Sequence, residues 1–541
     1  MASKREDVSL RSLKFWVLHV LPTLPLLWLT LVAGLVARLS FWLYTDRVWE
    51  DSLITITHAV SAVSGLGLTH HYGEGRVHGF TSALSVLIPL AGEVIVPGAG
   101  LLMLRLASLL ATVITITYAY LIAQKLNLNQ WATFFAVSYL ALSQYQIFYG
   151  MAGMETQVAT AILLAGTYFV MEKQARLAGA CLGLGLLVRP DFCLWVLPAL
   201  LYFVWQNRKT GFQAALMTLV VASPWFLFAT FYYGSPIPHT IAVKSLIWSS
   251  PPPSLLAGIN AWLTWFSVQL TVVHAGSWKF FAPFVDAHFV LSTPIPQPIL
   301  AAVAVLILSL ALLGIWSTRK VRGLWVAIAY VVIFTIYYFA WVGNDYFSWY
   351  VIPFMALVVL FAAAGLHRLQ RLSVAGSNLL AVTLAILFAV HIPFSFPIQA
   401  QVQQIENHVR KPLGEYLGQV VPHGEAVVSE SAGYVGYYSR AKLYDFPGLT
   451  SPTALQALKQ LPPEHRSLDA MINRLQPEWL VLRPIEFERL KKNYPTAAAR
   501  CTVAKSFRTN VPQVSGRSTL THWGLTVANG DTQFDVMSCK S

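Results

Sequence analysis

Two adjacent carboxylates stand just beyond the first long apolar segment of the sequence. They are Glu50 and Asp51, in the stretch YTDRVWEDSLITITHA at 44–59. A carboxylate in such a place can act as a general base, removing the proton from a hydroxyl as that hydroxyl attacks a sugar carbon. Adjacent acids can equally form a solvated helix start, because the helix dipole favours acidic residues in the first turn. The two residues alone leave both interpretations open.

Other ionisable or polar residues stand at the edges of later apolar segments. They are Glu155, Arg189, Asp191, His239, Lys244, Asn344 and Asp345. Ionisable groups at a membrane are costly unless they line a cavity, so several of them on one side indicate a site. Lys244 could hold a phosphate as a point charge and a nearby arginine as a bidentate fork. The alternatives are a lysine that extends to the membrane interface and an Arg189–Asp191 ion pair within the bundle.

The composition identifies the elements that must position these residues. The chain has 541 residues, of which 56% are hydrophobic and only 11% charged, and its mean hydropathy is +0.57. Soluble domains carry about 25% charged residues, so a soluble enzyme is excluded. The net charge of +13 is typical of basic loops that set membrane topology. No basic patch with interleaved aromatic residues occurs, and we expect no nucleic-acid partner.

The apolar segments predict a mostly α-helical, polytopic membrane protein. A segment of about 20 apolar residues spans the hydrocarbon core of a bilayer. We predict about eleven transmembrane helices, near 14–43, 101–124, 131–149, 157–172, 177–190, 191–206, 212–232, 298–316, 323–341, 349–366 and 378–395. This number requires that the segment 79–96, which contains Pro89 and Glu93, does not cross the membrane.

The basic residues predict which side each loop occupies. The N-terminal segment MASKREDVSLRSLK is basic, which places it in the cytoplasm. The alternation of spans then brings every dense basic cluster to that side. The external side receives the loops 45–100 and 233–297 and the whole C-terminus. We expect the plasma membrane of a bacterium, with the site facing outward.

The composition changes near residue 397, which predicts a transmembrane domain at 1–396 and a soluble domain at 397–541. Short buried strands are predicted at 425–430, 442–446 and 478–484, with helical stretches between them, as in a small α/β domain. Cys501 and Cys539 both lie in this external domain. Because such a compartment is oxidising, we predict that they form a disulfide.

The first external loop resembles a family of membrane enzymes. The stretch EDSLITITHAVSAVSGLGLTHHYGEGRVHGFTSALSVLI at 50–88 is similar to the first loop of GT-C glycosyltransferases that use polyprenyl-phosphate sugars, particularly the arabinofuranosyltransferase-like branch. The element at 76–82, RVHGFTS, has His78 where that branch has an acid and Phe80 where it has tyrosine. Further similar elements follow in order: GMET at 153–156, LLVRPD at 186–191, YYGSPIPHTIAVKS at 232–245, VGNDYFSWYVIPF at 342–354 and SESAGYVGYYSRAKLYDFPGLTSP at 429–452.

The resemblance implies a sugar donor carried on polyprenyl phosphate and chemistry on the non-cytoplasmic face. Arabinofuranose is the sugar that it favours. Asp51 or Glu50 would be the base, with Asp51 slightly favoured. The residues expected to bind the donor phosphate are Lys244, Arg189 and Arg76. Those expected to bind substrate are His239, Glu155, Asp345, Asn344, His78 and Tyr346.

A metal ion is a further possibility. The histidines of the first loop match no zinc-binding spacing, so a structural zinc site is not favoured. A divalent ion such as Mg²⁺ or Mn²⁺ between Asp51 and the donor phosphate fits the chemistry of hard oxygen ligands better. The sequence leaves the identity of the metal unknown.

These observations predict a membrane glycosyltransferase of GT-C architecture that acts on an external acceptor. The acceptor could be a cell-wall glycan, a lipid-linked glycan or a secreted protein such as a pilin. The alternative from another class is a secondary transporter or lipid flippase. Against it, the sequence has no related halves, and its acids lie at one face instead of the midplane. An assembly scaffold would not need acids and cations at one face.

Overall fold

The computed structural model describes residues 24–247, 297–337, 348–509 and 532–539. Most of the predicted second external loop lies outside these residues. So do three predicted substrate-binding residues, Asn344, Asp345 and Tyr346.

Helices make up the first part of the chain. They are α1 Leu24–Thr45, α2 Glu50–Val63, α3 Leu84–Ile95, α4 Gly100–Lys125, α5 Gln130–Leu142, α6 Gln144–Met151, α7 Thr156–Met171, α8 Ala175–Val188, α9 Cys193–Gln206, α10 Arg208–Tyr233, α11 His239–Ile247, α12 Gln297–Thr318, α13 Leu324–Ile336, α14 Ser348–Leu369, α15 Val374–Val390, α16 Ile392–His408 and α17 Arg410–Val420. A short 3₁₀ helix, Pro190–Phe192, joins α8 to α9.

Five helical segments of the described residues are long and apolar enough to cross a membrane: Pro25–Thr45, Gly100–Lys125, Arg208–Tyr233, Trp349–Leu369 and Val374–Val420. The protein is therefore a multi-pass membrane protein. Several shorter apolar helices accompany these five, among them Leu84–Ile95. At 12 residues this helix is about 18 Å long, which is shorter than a hydrocarbon core of about 30 Å.

One predicted span needs correction. The segment 131–149 was expected to form a single transmembrane helix, but the chain breaks at Ser143, which has non-helical backbone angles of φ −59° and ψ 120°. The resulting α5 has 13 residues and is about 20 Å long. Both α5 and α6 are largely buried. At a break, backbone N–H and C=O groups lose their helical hydrogen bonds, and neighbouring helices can supply partners that lipid cannot. Hydropathy alone does not reveal such a break.

Close helix packing depends on small residues. Helices α12 and α14 pack against each other. A Cβ atom on Gly314 would lie 1.8 Å from the carbonyl oxygen of Phe361, and one on Gly365 would lie 2.0 Å from that of Leu310. Only glycine allows the two backbones to approach this closely, as at many helix crossings in membrane proteins.

The C-terminal part forms a small α/β domain. Its strands are β1 Ala426–Ser429, β2 Lys442–Asp445, β3 Trp479–Leu482, β4 Cys501–Arg508 and β5 Gln533–Cys539, in the order β2-β1-β3-β5-β4. The first three run parallel, whereas β5 is antiparallel to β3 and to β4. The helices of the domain are α18 Gly433–Ser439, α19 Pro452–Lys459, α20 Leu468–Leu475, α21 Pro484–Asn493 and α22 Pro495–Ala499.

The three strands predicted from the sequence are confirmed as β1, β2 and β3. The expected domain boundary at 396/397 falls within α16, so one helix continues from the membrane part into the soluble part. Strands β4 and β5 were not predicted from the sequence. Strand β4 is mostly exposed and therefore lacks the alternation of buried and exposed residues that marks a half-buried strand.

Cys501 and Cys539 lie opposite each other at the ends of β4 and β5 and are joined by a disulfide. We predict that this bond is present in the protein isolated from cells without reductant. Non-reducing peptide mapping should recover the two cysteines in one linked peptide, while Cys181 and Cys193 react with an alkylating agent after unfolding. Recovery of Cys501 and Cys539 as free thiols would contradict the prediction and the external location from which it follows.

Membrane orientation gives a second prediction. A topology reporter fused after Gly424, in an exposed turn of the C-terminal domain, should report an external location. A reporter fused after Lys320, in the exposed basic loop between α12 and α13, should report the cytoplasm. A cytoplasmic signal after Gly424 would place the site described below on the wrong side of the membrane.

Candidate active site

A cavity of about 460 Å³ lies between the helices and the C-terminal domain. Helices α2, α11, α14 and α16, the turn between α8 and α9, and three segments of the C-terminal domain contribute to its wall. Its charged lining residues are Arg47, Glu50, Asp51, Glu155, Arg189, Asp191, Lys244, Glu406, Arg410, Glu430, Asp445 and Arg483. Five predicted site residues therefore meet in one cavity, although they come from distant parts of the sequence: Glu50, Asp51, Glu155, Arg189 and Lys244.

Glu50 is held by the C-terminal domain. Its Oε1 accepts hydrogen bonds from the backbone N–H groups of Gly433, at 2.6 Å, and Tyr434, at 3.2 Å. Its Oε2 forms an ion pair with Nη1 of Arg410 at 3.2 Å. Burial raises the pKa of Glu50 to about 7, against the opposing effect of Arg410. The carboxylate is already engaged by protein groups.

Asp51 is the next residue in the first turn of α2, and its surroundings differ. Its carboxylate lines the cavity and makes no hydrogen bond to any residue that the structure describes. Burial raises its pKa, Lys244 opposes this increase and Glu430 adds to it. A partly buried carboxylate without a hydrogen-bond partner among the described residues, at a cavity wall, is available to accept a proton from a bound molecule.

A cluster of cations and an aromatic ring lies on the same cavity. Nζ of Lys244 donates a hydrogen bond to the hydroxyl of Tyr350 at 2.9 Å, and the guanidinium of Arg189 lies 4.1 Å from the centre of that ring. Nε of Arg189 also pairs with Asp191 at 3.0 Å, as the ion-pair alternative expected. Both cations line the cavity, where either could contact an anionic ligand.

Glu155 is buried at the N-terminus of α7 and lines the cavity. Burial raises its pKa, and Asp51 adds to the increase whereas Arg189 and Lys244 oppose it. Two carboxylates that repel each other across a cavity are suitable ligands for a hard divalent cation. Among the described residues, no group of three or more histidine, cysteine, aspartate or glutamate side chains is arranged to hold a metal.

Three predicted site residues do not line the cavity. The guanidinium of Arg76 lies over the ring of Tyr232, at 4.3 Å from its centre. His78 stacks on Tyr233 at 4.6 Å between ring centres, and Nε2 of His239 bonds to the carbonyl oxygen of Gly448 at 3.0 Å. The motif at 76–82 therefore contributes to packing through Arg76 and His78. It contributes to the cavity through Gly79, Phe80, Thr81 and Ser82.

Two segments of the chain match known family models. Residues 87–231 match the family model "Dolichyl-phosphate-mannose-protein mannosyltransferase". Residues 398–527 match a domain of unknown function, DUF8728. No curated protein matches the chain.

The fold resembles those of solved glycosyl-transferring enzymes. An oligosaccharyltransferase from Archaeoglobus fulgidus is 13% identical, with a TM-score of 0.53 over 88% of this chain and 71% of that one. ArnT from Cupriavidus metallidurans in the apo state is 11% identical, with a TM-score of 0.52 over 95% of this chain and 97% of that one. The chain has the GT-C fold. Its ArnT neighbour bound to undecaprenyl phosphate is 11% identical, with a TM-score of 0.50 over 95% of this chain and 98% of that one.

The GT-C chain also has site residues that the sequence did not reveal. Arg410, Glu406, Glu430 and Arg483 line the cavity from the C-terminal end. All four lie in a polar segment where charged residues are ordinary, so their type gave no signal. Of the four, only Glu430 falls in an element, 429–452, that the sequence resemblance includes.

The raised pKa of Asp51 predicts an acid limb in the pH dependence of this GT-C chain. If Asp51 is the base of a reaction in this cavity, it must be deprotonated, so kcat/KM should fall as the pH falls through the raised pKa, at a pH above the usual carboxyl value of about 4. Glu430→Gln removes a charge that raises this pKa and should move the limb to lower pH. Glu50→Gln should retain the limb. If the acid limb disappeared in Glu50→Gln, it would belong to Glu50 and not to Asp51.

Proposed function

We propose that this protein transfers a glycosyl unit from a polyprenyl-phosphate donor to a hydroxyl group of an acceptor outside the cytoplasm. The observation that carries the proposal is the cavity in which Asp51, without a hydrogen-bond partner among the described residues, faces the Lys244–Arg189 cations. A base and a phosphate-binding cation on one cavity meet the two requirements of transfer from a sugar phosphate.

The reaction can be written with these residues. The acceptor hydroxyl attacks the anomeric carbon of the donor, and its proton passes to the carboxylate of Asp51. The bond between the anomeric carbon and the phosphate oxygen breaks through an oxocarbenium-like transition state, and polyprenyl phosphate leaves with the electron pair. Lys244 would stabilise the charge that develops on the departing phosphate.

The lipid donor has support from two sources. One is the fold shared with ArnT, which has been solved with undecaprenyl phosphate. The other is the apolar side of the cavity, where Met154, Trp349, Ile398, Val402 and Ile405 lie next to the charged groups. An apolar wall beside a cation suits a phosphate that carries a hydrocarbon chain.

A divalent cation is the remaining part of the proposal. Asp51 and Glu155 have the hard oxygen ligands that Mg²⁺ and Mn²⁺ prefer, and a donor phosphate could complete the coordination. If a metal takes part, activity should be lost with a chelator and return with one of these ions.

The proposed identities of the sugar and the acceptor are inferred from the sequence resemblance. Arabinofuranose is the proposed sugar, and a cell-wall glycan, a lipid-linked glycan or a secreted protein such as a pilin is the proposed acceptor. Mass spectrometry of glycans and secreted proteins from a deletion strain should show the loss of one pentose at a defined acceptor. Loss of a hexose instead would show that the donor sugar is a hexose, and the proposed reaction class would be unchanged.

The alternative function is a secondary transporter or lipid flippase. The cavity has Glu430 and Arg483 of the C-terminal domain in its wall. This supports transfer over transport, because transport sites lie near the middle of the membrane. Reconstituted protein that moves a labelled polyprenyl-phosphate sugar across vesicles without consuming it would favour the alternative.

A further inference from the structure

The N-terminus of α2 and the C-terminal domain are joined at one contact. Glu50 accepts hydrogen bonds from two successive backbone N–H groups at the start of α18, and its second oxygen pairs with Arg410. These groups are more than 350 residues apart in the sequence. The contact also fixes the residue that follows Glu50, because Asp51 lies in the same helical turn.

Arg410 is the centre of this contact. Its Nε donates to Glu406 at 2.5 Å, and its Nη2 donates to the other oxygen of the same carboxylate. Its Nη1 lies 3.2 Å from both the hydroxyl of Ser431 and Oε2 of Glu50. The guanidinium thus joins α16, the segment after β1, and α2. An arginine fork with all three nitrogens engaged holds a fixed geometry that a lysine cannot reproduce.

The backbones meet at the same place. A Cβ atom on Gly433 would lie 2.1 Å from the carbonyl oxygen of Glu50 and 2.9 Å from its Oε1. Glycine is therefore the residue that lets α18 approach closely enough for its N–H groups to reach the carboxylate. Tyr434 strengthens the junction, because its hydroxyl donates to Gln403, whose Oε1 also accepts from the N–H of Val48.

We propose that the Glu50–Arg410 pair positions the base, and that orienting Asp51 toward the cavity is one function of the domain of unknown function. The inference rests on the proposed glycosyl transfer. Glu50 acts here as a positioning residue, since Oε1 accepts two backbone hydrogen bonds and Oε2 is paired with Arg410 through charge alone. Arg410 acts through Glu50 and not as a ligand of the donor phosphate, since its nitrogens are occupied by Glu406, Ser431 and Glu50.

A double-mutant cycle on the full-length protein tests the proposal. Glu50→Gln, Arg410→Gln and the double variant are compared in glycosyl transfer and in binding of polyprenyl phosphate alone. The matched control is Lys491→Gln, which removes the same charge from an exposed ion pair with Glu488 in the same domain. Variants are compared only if they are monodisperse and retain the Cys501–Cys539 disulfide.

Each single variant should lower kcat by about 10- to 100-fold, because a displaced base loses its alignment with the hydroxyl. Binding of polyprenyl phosphate should stay within about twofold of that of wild type, and the double variant should be no worse than the poorer single one. Arg410→Lys should recover part of kcat. Gly433→Ala, which changes no charge, should show the same pattern of lower kcat with unchanged lipid binding.

Three results would overturn the inference. They are full kcat in Arg410→Gln, additive losses in the double variant, and a loss of polyprenyl phosphate binding in Arg410→Gln that Glu50→Gln does not share. The last result would make Arg410 a ligand of the donor. Absence of transfer by the wild-type protein, in contrast, would refute the proposed function itself, so the two failures are distinguishable.

Discussion

Asp51→Asn is expected to lower kcat for glycosyl transfer by about 10²- to 10⁴-fold without unfolding the protein. Asparagine keeps the size of the side chain but cannot accept the proton of the acceptor hydroxyl. Because the carboxylate of Asp51 makes no hydrogen bond to a described residue, its removal leaves no protein donor unsatisfied. The measurement is turnover by purified, monodisperse variants, with the thermal midpoint recorded for each.

Glu50→Gln is the matched comparison for this variant. It makes the same change at the neighbouring residue, which is held by Gly433, Tyr434 and Arg410. We expect a smaller loss of kcat than in Asp51→Asn, together with a change in thermal midpoint. If Asp51→Asn keeps near-wild-type turnover while Glu50→Gln is inactive, Glu50 is the base. If both variants stay active, the first loop is not catalytic.

The second large effect is expected for Lys244→Ala. Loss of this cation should weaken donor binding and also slow the step in which charge develops on the phosphate, so KM rises and kcat falls by about 10- to 10³-fold. Tyr350 accepts a hydrogen bond from Lys244 at 2.9 Å, so Tyr350→Phe should show a smaller change in the same direction.

Lys209→Ala serves as the control for Lys244→Ala. Lys209 is exposed at the start of α10 and does not line the cavity, so its loss should leave donor binding and turnover unchanged. Normal donor affinity in Lys244→Ala would remove Lys244 from the site and would leave Arg189 as the cation for the phosphate.

Much of the architecture could be predicted because it depends on composition over long segments. The apolar runs near 101–124 and 349–366 correspond to α4 and α14, and the short buried runs at 425–430 and 442–446 correspond to β1 and β2. The break at Ser143 could not be predicted in this way. The polar residues Ser143, Gln144 and Gln146 lie at the break, but the apolar residues on both sides keep the whole segment hydrophobic.

The site could be predicted in part for a similar reason. Asp51, Glu155 and Lys244 stand out because charged residues are rare at the ends of apolar segments. The role of Arg410 could not be predicted from the sequence, because its partner Glu50 is 360 positions away and Arg410 itself lies in a polar segment where charged residues are ordinary. Which of the two adjacent acids is held by the C-terminal domain depends on how α18 approaches α2, and that is a property of the folded chain.

The central claim is that the protein uses a polyprenyl-phosphate sugar as donor and Asp51 as base. The most direct test is release of polyprenyl phosphate from a synthetic polyprenyl-phosphate pentose by the purified protein, with and without a hydroxylated acceptor glycan. The account predicts release that depends on the acceptor and is stoichiometric with a glycosylated product in the wild type and in Lys491→Gln, and at least about 100-fold slower release in Asp51→Asn. Release at the same rate in wild type and Asp51→Asn would contradict it, as would no release from any polyprenyl-phosphate sugar offered.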